Sequence, residues 1–278
     1  MNRGLILGGG GVLGLAWEIG VLHGLASGGI DLLGASEVIG TSAGAFAGCA
    51  LLDPRGIAWA YARQAAASVQ EVPVASSSDV IQTLSAMLKE CAGDAARAGR
   101  RIGEFALAAS SVAVRQRLAV VRDRLDRDDW PSDRLMLTAI DVDSGELHLL
   151  TSDSGIDLVH AAAASGAAPG IWPVISAGGK RWVDGGSVSV TNAHLARRFG
   201  QCIVISPRPG NLTGITVQSE IDACGKRDDA VLIVPDSRSE AAIGQNNFDP
   251  SRRQVAAEAG RRQGERLVRD MPDAWRVY

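Results

Sequence analysis

Aromatic residues make up only 4% of this 278-residue chain, and histidine occurs only four times. Gly, by contrast, is high at 33 residues, which indicates close backbone packing in several places. Long apolar runs are missing as well: nothing approaches the roughly 18 uninterrupted apolar residues of a spanning helix. The apolar run after Arg3 is broken by glycines, is too short for a signal-peptide core and lacks a cleavage site. A cytoplasmic protein is therefore expected, with peripheral membrane contact left open. Cys49, Cys91, Cys202 and Cys224 form no Cys-x-x-Cys pair, so neither a zinc site nor a disulfide scaffold is indicated, and they read as buried thiols in a reducing compartment. Positive charge is not in excess: a net charge of -3 without a lysine- or arginine-dominated segment argues against a nucleic-acid partner. The remaining composition, 46% apolar and 21% charged, is that of an ordinary globule long enough for one substantial core, read here as a single domain over 1–278.

What is present begins with a strand over 5–7, four consecutive glycines (Gly8 to Gly11) and a helix over about 14–26 that carries Leu15, Ile19, Leu22 and Leu25 on one face. A second such unit follows at once: a strand over 37–39, a turn over 40–42 and a small-residue helix to about Leu52. Two strand-turn-helix units in succession predict an α/β fold with a parallel sheet covered by helices. Residues 55–130 show no strand signal. Their arginines alternate with apolar residues at helical spacing, which predicts a helical insertion over the core. Within it, 94–130 offers apolar and arginine faces that suit either a lipid surface or a solvated helix packed on the core. Strands resume in "RLMLTAI" and "ELHLLTS", joined through Asp143-Ser144-Gly145 as a hairpin. A helix over 158–164, the breaker stretch "SGAAPGIWPV", a strand over 180–183, a helix near 193–199, strands "CIVIS" and "AVLIVP", and a charged helix over about 250–270 complete the reading.

The stretch "GTSAG", Gly40 to Gly44, fits the G-x-S-x-G pattern between a strand and a helix. A serine on so sharp a turn crowds the residues two before and two after it, so both must be glycine-sized. Ser42 would then project at a helix N-terminus, where partial positive charge favours a developing anion. Alone, the motif is equally a tight turn with a serine cap. Its proton acceptor is open at this point. His23, His148 and His160 read as packed or surface residues. His194 alone follows Asp184, giving the Ser, Asp, His order of an α/β-hydrolase, but only ten positions separate the two. "WVDGG" offers Asp184 itself, at a predicted strand end where ligand groups gather, with Gly185 and Gly186 making the turn. Burial in an apolar pocket would raise its pKa and make it a better base. Oxyanion donors are available in "GGGGVLG", where the amides of Gly10 and Gly11 can converge at a helix N-terminus. The same glycines, Gly9-x-Gly11-x-x-Gly14, also match a dinucleotide fingerprint, with Asp31 at the distance of a ribose-binding acid but with no strand before it. A Rossmann-like nucleotide-binding domain is thus the rival reading.

These elements, in this order, resemble the patatin-like phospholipase family of serine acyl hydrolases. "ASGAAPGIWPVI" with "GGKRWVDGG" looks like the segment leading to that family's aspartate, and "FDPSRRQVAAEAGRRQG" resembles a C-terminal helix of bacterial members. The likeness is good over 4–52 and 134–270 and weak over 55–130. It implies a three-layer α/β/α fold with a mostly parallel central sheet. It further implies Ser42 as nucleophile, Asp184 as base, Gly10 and Gly11 as oxyanion donors, and Gly9, Gly14, Gly40, Gly44, Gly185 and Gly186 as supporting glycines. The implied activity is hydrolysis of lipid or acyl esters through an acyl-enzyme, with no metal or organic cofactor. A catalytically weak lipid-binding relative is the other possibility within the family. The family commonly has Arg or Lys before the last glycine of the nest, where this chain has Leu13, a loss that counts against a strong preference for anionic head groups. "DGG" replaces the commoner "DGA".

Overall fold

The computed structural model describes residues 2–66, 78–109 and 112–277. The first half of the chain runs β1 (Arg3–Leu7), α1 (Gly11–Ser27), β2 (Glu37–Gly40), α2 (Ala43–Leu52), α3 (Ile57–Ala62), α4 (Ser78–Glu90), α5 (Ala95–Ala108) and α6 (Val114–Leu125). Then come β3 (Leu135–Asp141), β4 (Leu147–Leu150), α7 (Leu158–Ser165), β5 (Ile175–Ala177) and β6 (Lys180–Asp184). The chain closes with β7 (Gln201–Ile205), α8 (Val217–Ala223), β8 (Ala230–Ile233), α9 (Ser237–Ile243) and α10 (Arg253–Leu267).

Alternation along the strands sets the layers. Leu5 and Leu7 of β1 and Ile203 and Ile205 of β7 join the large core beneath α1, α2, α7 and α10. Ile6, Cys202 and Val204 point the other way, into a smaller core with Val217 and Ile221 of α8. Helices thus cover both faces of a mixed, mostly parallel sheet, as the first two strand-turn-helix units predict. β3, β2, β1, β7 and β8 run parallel in that order, while β4, β5 and β6 are antiparallel to their partners.

One detail of register decides where the chemistry lies. On one edge of β3, Leu137 pairs with Gly40 of β2, and two residues further along the same edge Ala139 pairs with Asp184 of β6. The opposite edge of these residues is taken by β4. β6 therefore begins its pairing where β2 stops, and its last residue faces the turn that follows β2.

The insertion expected over 55–130 is helical in its described parts, α3 to α6; residues 67–77 and 110–111 lie outside the described residues. Ala98, Ile102 and Ala106 of α5 and Val120, Val121 and Leu125 of α6 are buried, so these helices turn their apolar faces to the protein. Some expectations need correction. α1 starts at Gly11, three residues early, because Gly11 takes φ +66° and turns the chain straight into the helix. The segment Ala193–Arg198 is a 3-10 helix. β5, within a Pro- and Gly-rich stretch, and the short helices α8 and α9 had no sequence signal. No described helix is long and apolar enough to cross a membrane.

Candidate active site

The two strand-end turns meet as their register requires. Ser42 follows β2 at φ 54° and ψ -111°, one of three described non-glycine residues at positive φ, and projects from the N-terminus of α2. The flanking glycines are a steric necessity. A Cβ on Gly40 would lie 2.5 Å from the Gly44 carbonyl oxygen, and one on Gly44 only 2.2 Å from that of Leu7. The Ser42 hydroxyl donates to Asp184 Oδ2 at 2.7 Å, and Asp184 Oδ1 accepts the Gly186 amide at 2.7 Å. Gly185 passes against β3, where a Cβ would meet the Thr138 carbonyl oxygen at 2.6 Å.

Asp184 is only 5% exposed. Burial is the largest influence on its carboxyl and raises it to about 6, against the opposing effects of the Ser42 hydroxyl, the Gly186 amide and the Arg117 charge. A carboxylate titrating there is mostly ionised at neutral pH yet far more basic than an exposed one. None of the histidines competes for Ser42. His23 stacks on Tyr61, His148 sits edge-on to Trp182, and His160 pairs with Asp157 at 2.7 Å. His194, the alternative base, is half-buried in the 3-10 segment, and among the described residues it makes no hydrogen bond to Ser42 or Asp184.

The glycine nest lies at the same place, at the C-terminal end of β1. The amides of Gly8 and Gly9 are engaged with Ile205 O and Val190 O. Those of Gly10 and Gly11 find no acceptor among the described residues and line the cleft that holds Ser42 and Asp184. Pro207 packs on the nest: a Cβ on Gly10 would lie 2.4 Å, and one on Gly14 2.9 Å, from its Cβ. Leu13, where a cation is common in the family, is fully buried in the core instead. Asp31 lies away from the nest. It caps a turn through Gly34 N and pairs with Arg3 at 2.9 Å, at the start of β1, the strand end opposite the nest.

Four site residues escaped sequence reasoning. Asn192, 3% exposed and at φ 53°, donates through Nδ2 to Thr41 Oγ1 and to the Gly185 carbonyl, both at 3.1 Å. Its amide thus links the residue before Ser42 to the residue after Asp184. Ser165, fully buried at the end of α7, accepts the Ser42 amide at 3.0 Å. Glu18 of α1, fully buried, accepts the Gly8 amide at 3.0 Å beneath the nest, and burial pushes its carboxyl well above the usual range against the opposing effect of that amide. Arg117 of α6 donates to the Gly166 carbonyl at 3.0 Å, with its guanidinium 4.3 Å from the centre of the Trp172 ring. The one signal in the sequence is the residue type: an asparagine in the loop that follows "DGG", a side chain that tolerates left-handed backbone better than most.

A serine on a strained strand-to-helix turn, a carboxylate bonded to it and free amides beside both form an arrangement suited to nucleophilic chemistry at the strand ends of an α/β sheet. The chain belongs to the patatin-like phospholipase family, which matches residues 5–197. That is a family of lipid acyl hydrolases. Among solved structures, VipD from Legionella pneumophila is similar, with 13% identity and a TM-score of 0.49 over 97% of this chain and 67% of that one. No curated protein matches the sequence.

Proposed function

We propose that the protein hydrolyses carboxylic esters of lipids through a Ser42 acyl-enzyme, with Asp184 as the single general base. Ser42 Oγ attacks the acyl carbonyl as its proton passes to Asp184 Oδ2. The carbonyl oxygen becomes an oxyanion facing the amides of Gly10 and Gly11. When the tetrahedral intermediate collapses, Asp184 returns the proton to the departing alcohol. Water then attacks the acyl-enzyme and gives a proton to Asp184, which returns it to Ser42 Oγ as the acyl bond breaks, so the fatty acid leaves with Ser42 and the Asp184 carboxylate restored. The observation that carries the reading is the 2.7 Å bond from Ser42 Oγ to the buried Asp184. Free amides of Gly10 and Gly11 in the same cleft support it.

A fluorophosphonate probe followed by peptide mapping tests it. Label is expected on Ser42 and is expected to vanish in Ser42→Ala. Lipid binding without label would instead identify a catalytically weak relative, and tight dinucleotide binding without label the rival use of the nest.

Asn192 acts in this scheme as a positioning residue. Asn192→Gly accepts the left-handed backbone and removes only the two hydrogen bonds, so kcat is expected to fall about 10- to 100-fold with KM nearly unchanged, the scale of a small misplacement of reacting groups. Asn192→Ala adds backbone strain and is expected to lose about 1 kcal/mol of stability as well. Steady-state kinetics with thermal melts separates the two effects. Wild-type kcat in the glycine variant would remove the positioning role.

A further inference from the structure

We propose that Arg208 is an anion-binding residue of the cleft and selects ester substrates that carry a phosphate-type anion on the part that departs with the alcohol. The proposal rests on the hydrolase reading for the word substrate, but the anion site itself does not. Arg208 lies in the segment after β7 and lines the same cleft as Ser42, Asp184 and the glycine nest. Among the described residues its guanidinium has no hydrogen bond, no ion pair and no aromatic ring, although it is only partly exposed. Burial alone disturbs it, and it disturbs it downward, with no carboxylate acting the other way. A cation withdrawn from water without a counter-charge is unfavourable, and the proteins that keep one normally supply its partner. Here no described residue supplies it.

The surroundings hold that side chain in readiness. Arg208 stands between Pro207 and Pro209, whose fixed φ angles restrict the backbone. Its carbonyl accepts from Ser206 Oγ at 2.7 Å, and Pro207 is wedged against Gly10 and Gly14. The loop beyond is pinned by Asn211, whose Oδ1 accepts from Thr213 N and Ile215 N and whose Nδ2 donates to Val188 O. Asp184 is the only carboxylate lining the cleft among the described residues, and it is bonded to Ser42 and Gly186. The lining also has an apolar part, with Ile81 and Leu84 of α4 and Leu212. An amphiphile fits this division: hydrocarbon against α4 and Leu212, an anion at Arg208, and the ester carbonyl between them at Ser42. Leu13 leaves no cation on the nest, so Arg208 is supplied by the fold from a part of the chain beyond the family match.

Two arms test the inference in the full-length protein. In the first, kcat/KM is compared for 1-oleoylglycerol 3-phosphate and 1-oleoylglycerol, in wild type and Arg208→Met, which keeps an apolar stem. A charge-assisted contact gives an expected wild-type preference of about 10- to 100-fold for the phosphate ester, carried in KM, which collapses in the variant. In the second, inorganic phosphate is added during thermal unfolding, a reading that needs no turnover. It is expected to raise the Tm of wild type and not that of Arg208→Met. A Tm response without substrate preference assigns Arg208 to free phosphate rather than to a lipid head group, and overturns the substrate part. Equal behaviour of wild type and variant in both arms overturns the anion site. A wild type that hydrolyses neither ester but shows the Arg208-dependent Tm shift overturns the hydrolase reading and leaves the anion site standing.

Discussion

Ser42→Ala and Ser42→Gly are both expected to lower kcat on a short p-nitrophenyl ester by about 10^4-fold or more, the scale seen when a hydrolase loses its nucleophile. Their stabilities, however, should part. The φ of 54° with ψ of -111° at residue 42 is unfavourable for any side chain with a Cβ, at about 1–3 kcal/mol. Alanine keeps that Cβ and the strain with it. Glycine removes it, so after glycine's own entropy cost Ser42→Gly should be more stable than wild type by about 1 kcal/mol, a Tm rise of about 2–4 °C. The elbow is held against this strain by Gly44 N bonding to Gly8 O at 2.9 Å, by the Ser42 amide bonding to Ser165 Oγ, and by the two glycines that let the turn close. Turnover assays and thermal melts on the three proteins decide the matter. Turnover within tenfold of wild type in either variant would show that the hydroxyl is not the nucleophile, and a glycine variant less stable than alanine would show that the turn stores no strain.

How far the sequence reveals this site follows from the range of its interactions. "GTSAG" and "GGGG" are local: strand, turn and helix lie within a dozen residues, and each glycine is required by its immediate neighbours, so both turns can be read directly. Asp184 is legible as a strand-end carboxylate, but its proximity to Ser42 is not, because it depends on β2 and β6 sharing one edge of β3. Asn192 meets Thr41 across 151 positions, and Ser165 meets Ser42 across 123, distances over which no periodicity carries information. β5 escapes for a different reason. Three residues, Ile175 to Ala177, are too few to show alternation, and only pairing with β6 makes them a strand. Arg208 looks like an ordinary loop arginine between prolines, and its meaning appears only when Pro207 is found against the nest. Against the dinucleotide reading the sequence offers the missing strand before Asp31, and the fold adds that Asp31 and the nest sit at opposite ends of the same strand.

Asp184→Asn should separate catalysis from stability in the sharpest way. The ordinary carboxyl value of 3.8 is raised to about 6, chiefly by burial, so the folded protein holds this proton more tightly than the unfolded chain does. The stability contributed by the protonated group is complete below 3.8 and is lost as the pH rises through about 6, a difference of about 3 kcal/mol. The ionised carboxylate that the mechanism needs as a base is therefore the form that the fold disfavours. Asparagine keeps the shape, its oxygen can still accept the Gly186 amide, and its NH2 can face the Ser42 hydroxyl, but it never ionises. At pH 7.5 Asp184→Asn should be inactive to within about 10^4-fold of wild type and more stable by up to about 3 kcal/mol. The stability gain should shrink toward pH 4 and vanish below it. In the wild type, kcat/KM for an uncharged ester should rise about tenfold per pH unit below 6 and level off above about 7, since only the ionised base works. Melts of both proteins between pH 4 and 8, beside the wild-type pH-rate profile, put the two consequences on one axis. A stability gain that is independent of pH would separate Asp184 from the titration, and a rate profile flat through 6 would mean that another group accepts the serine proton.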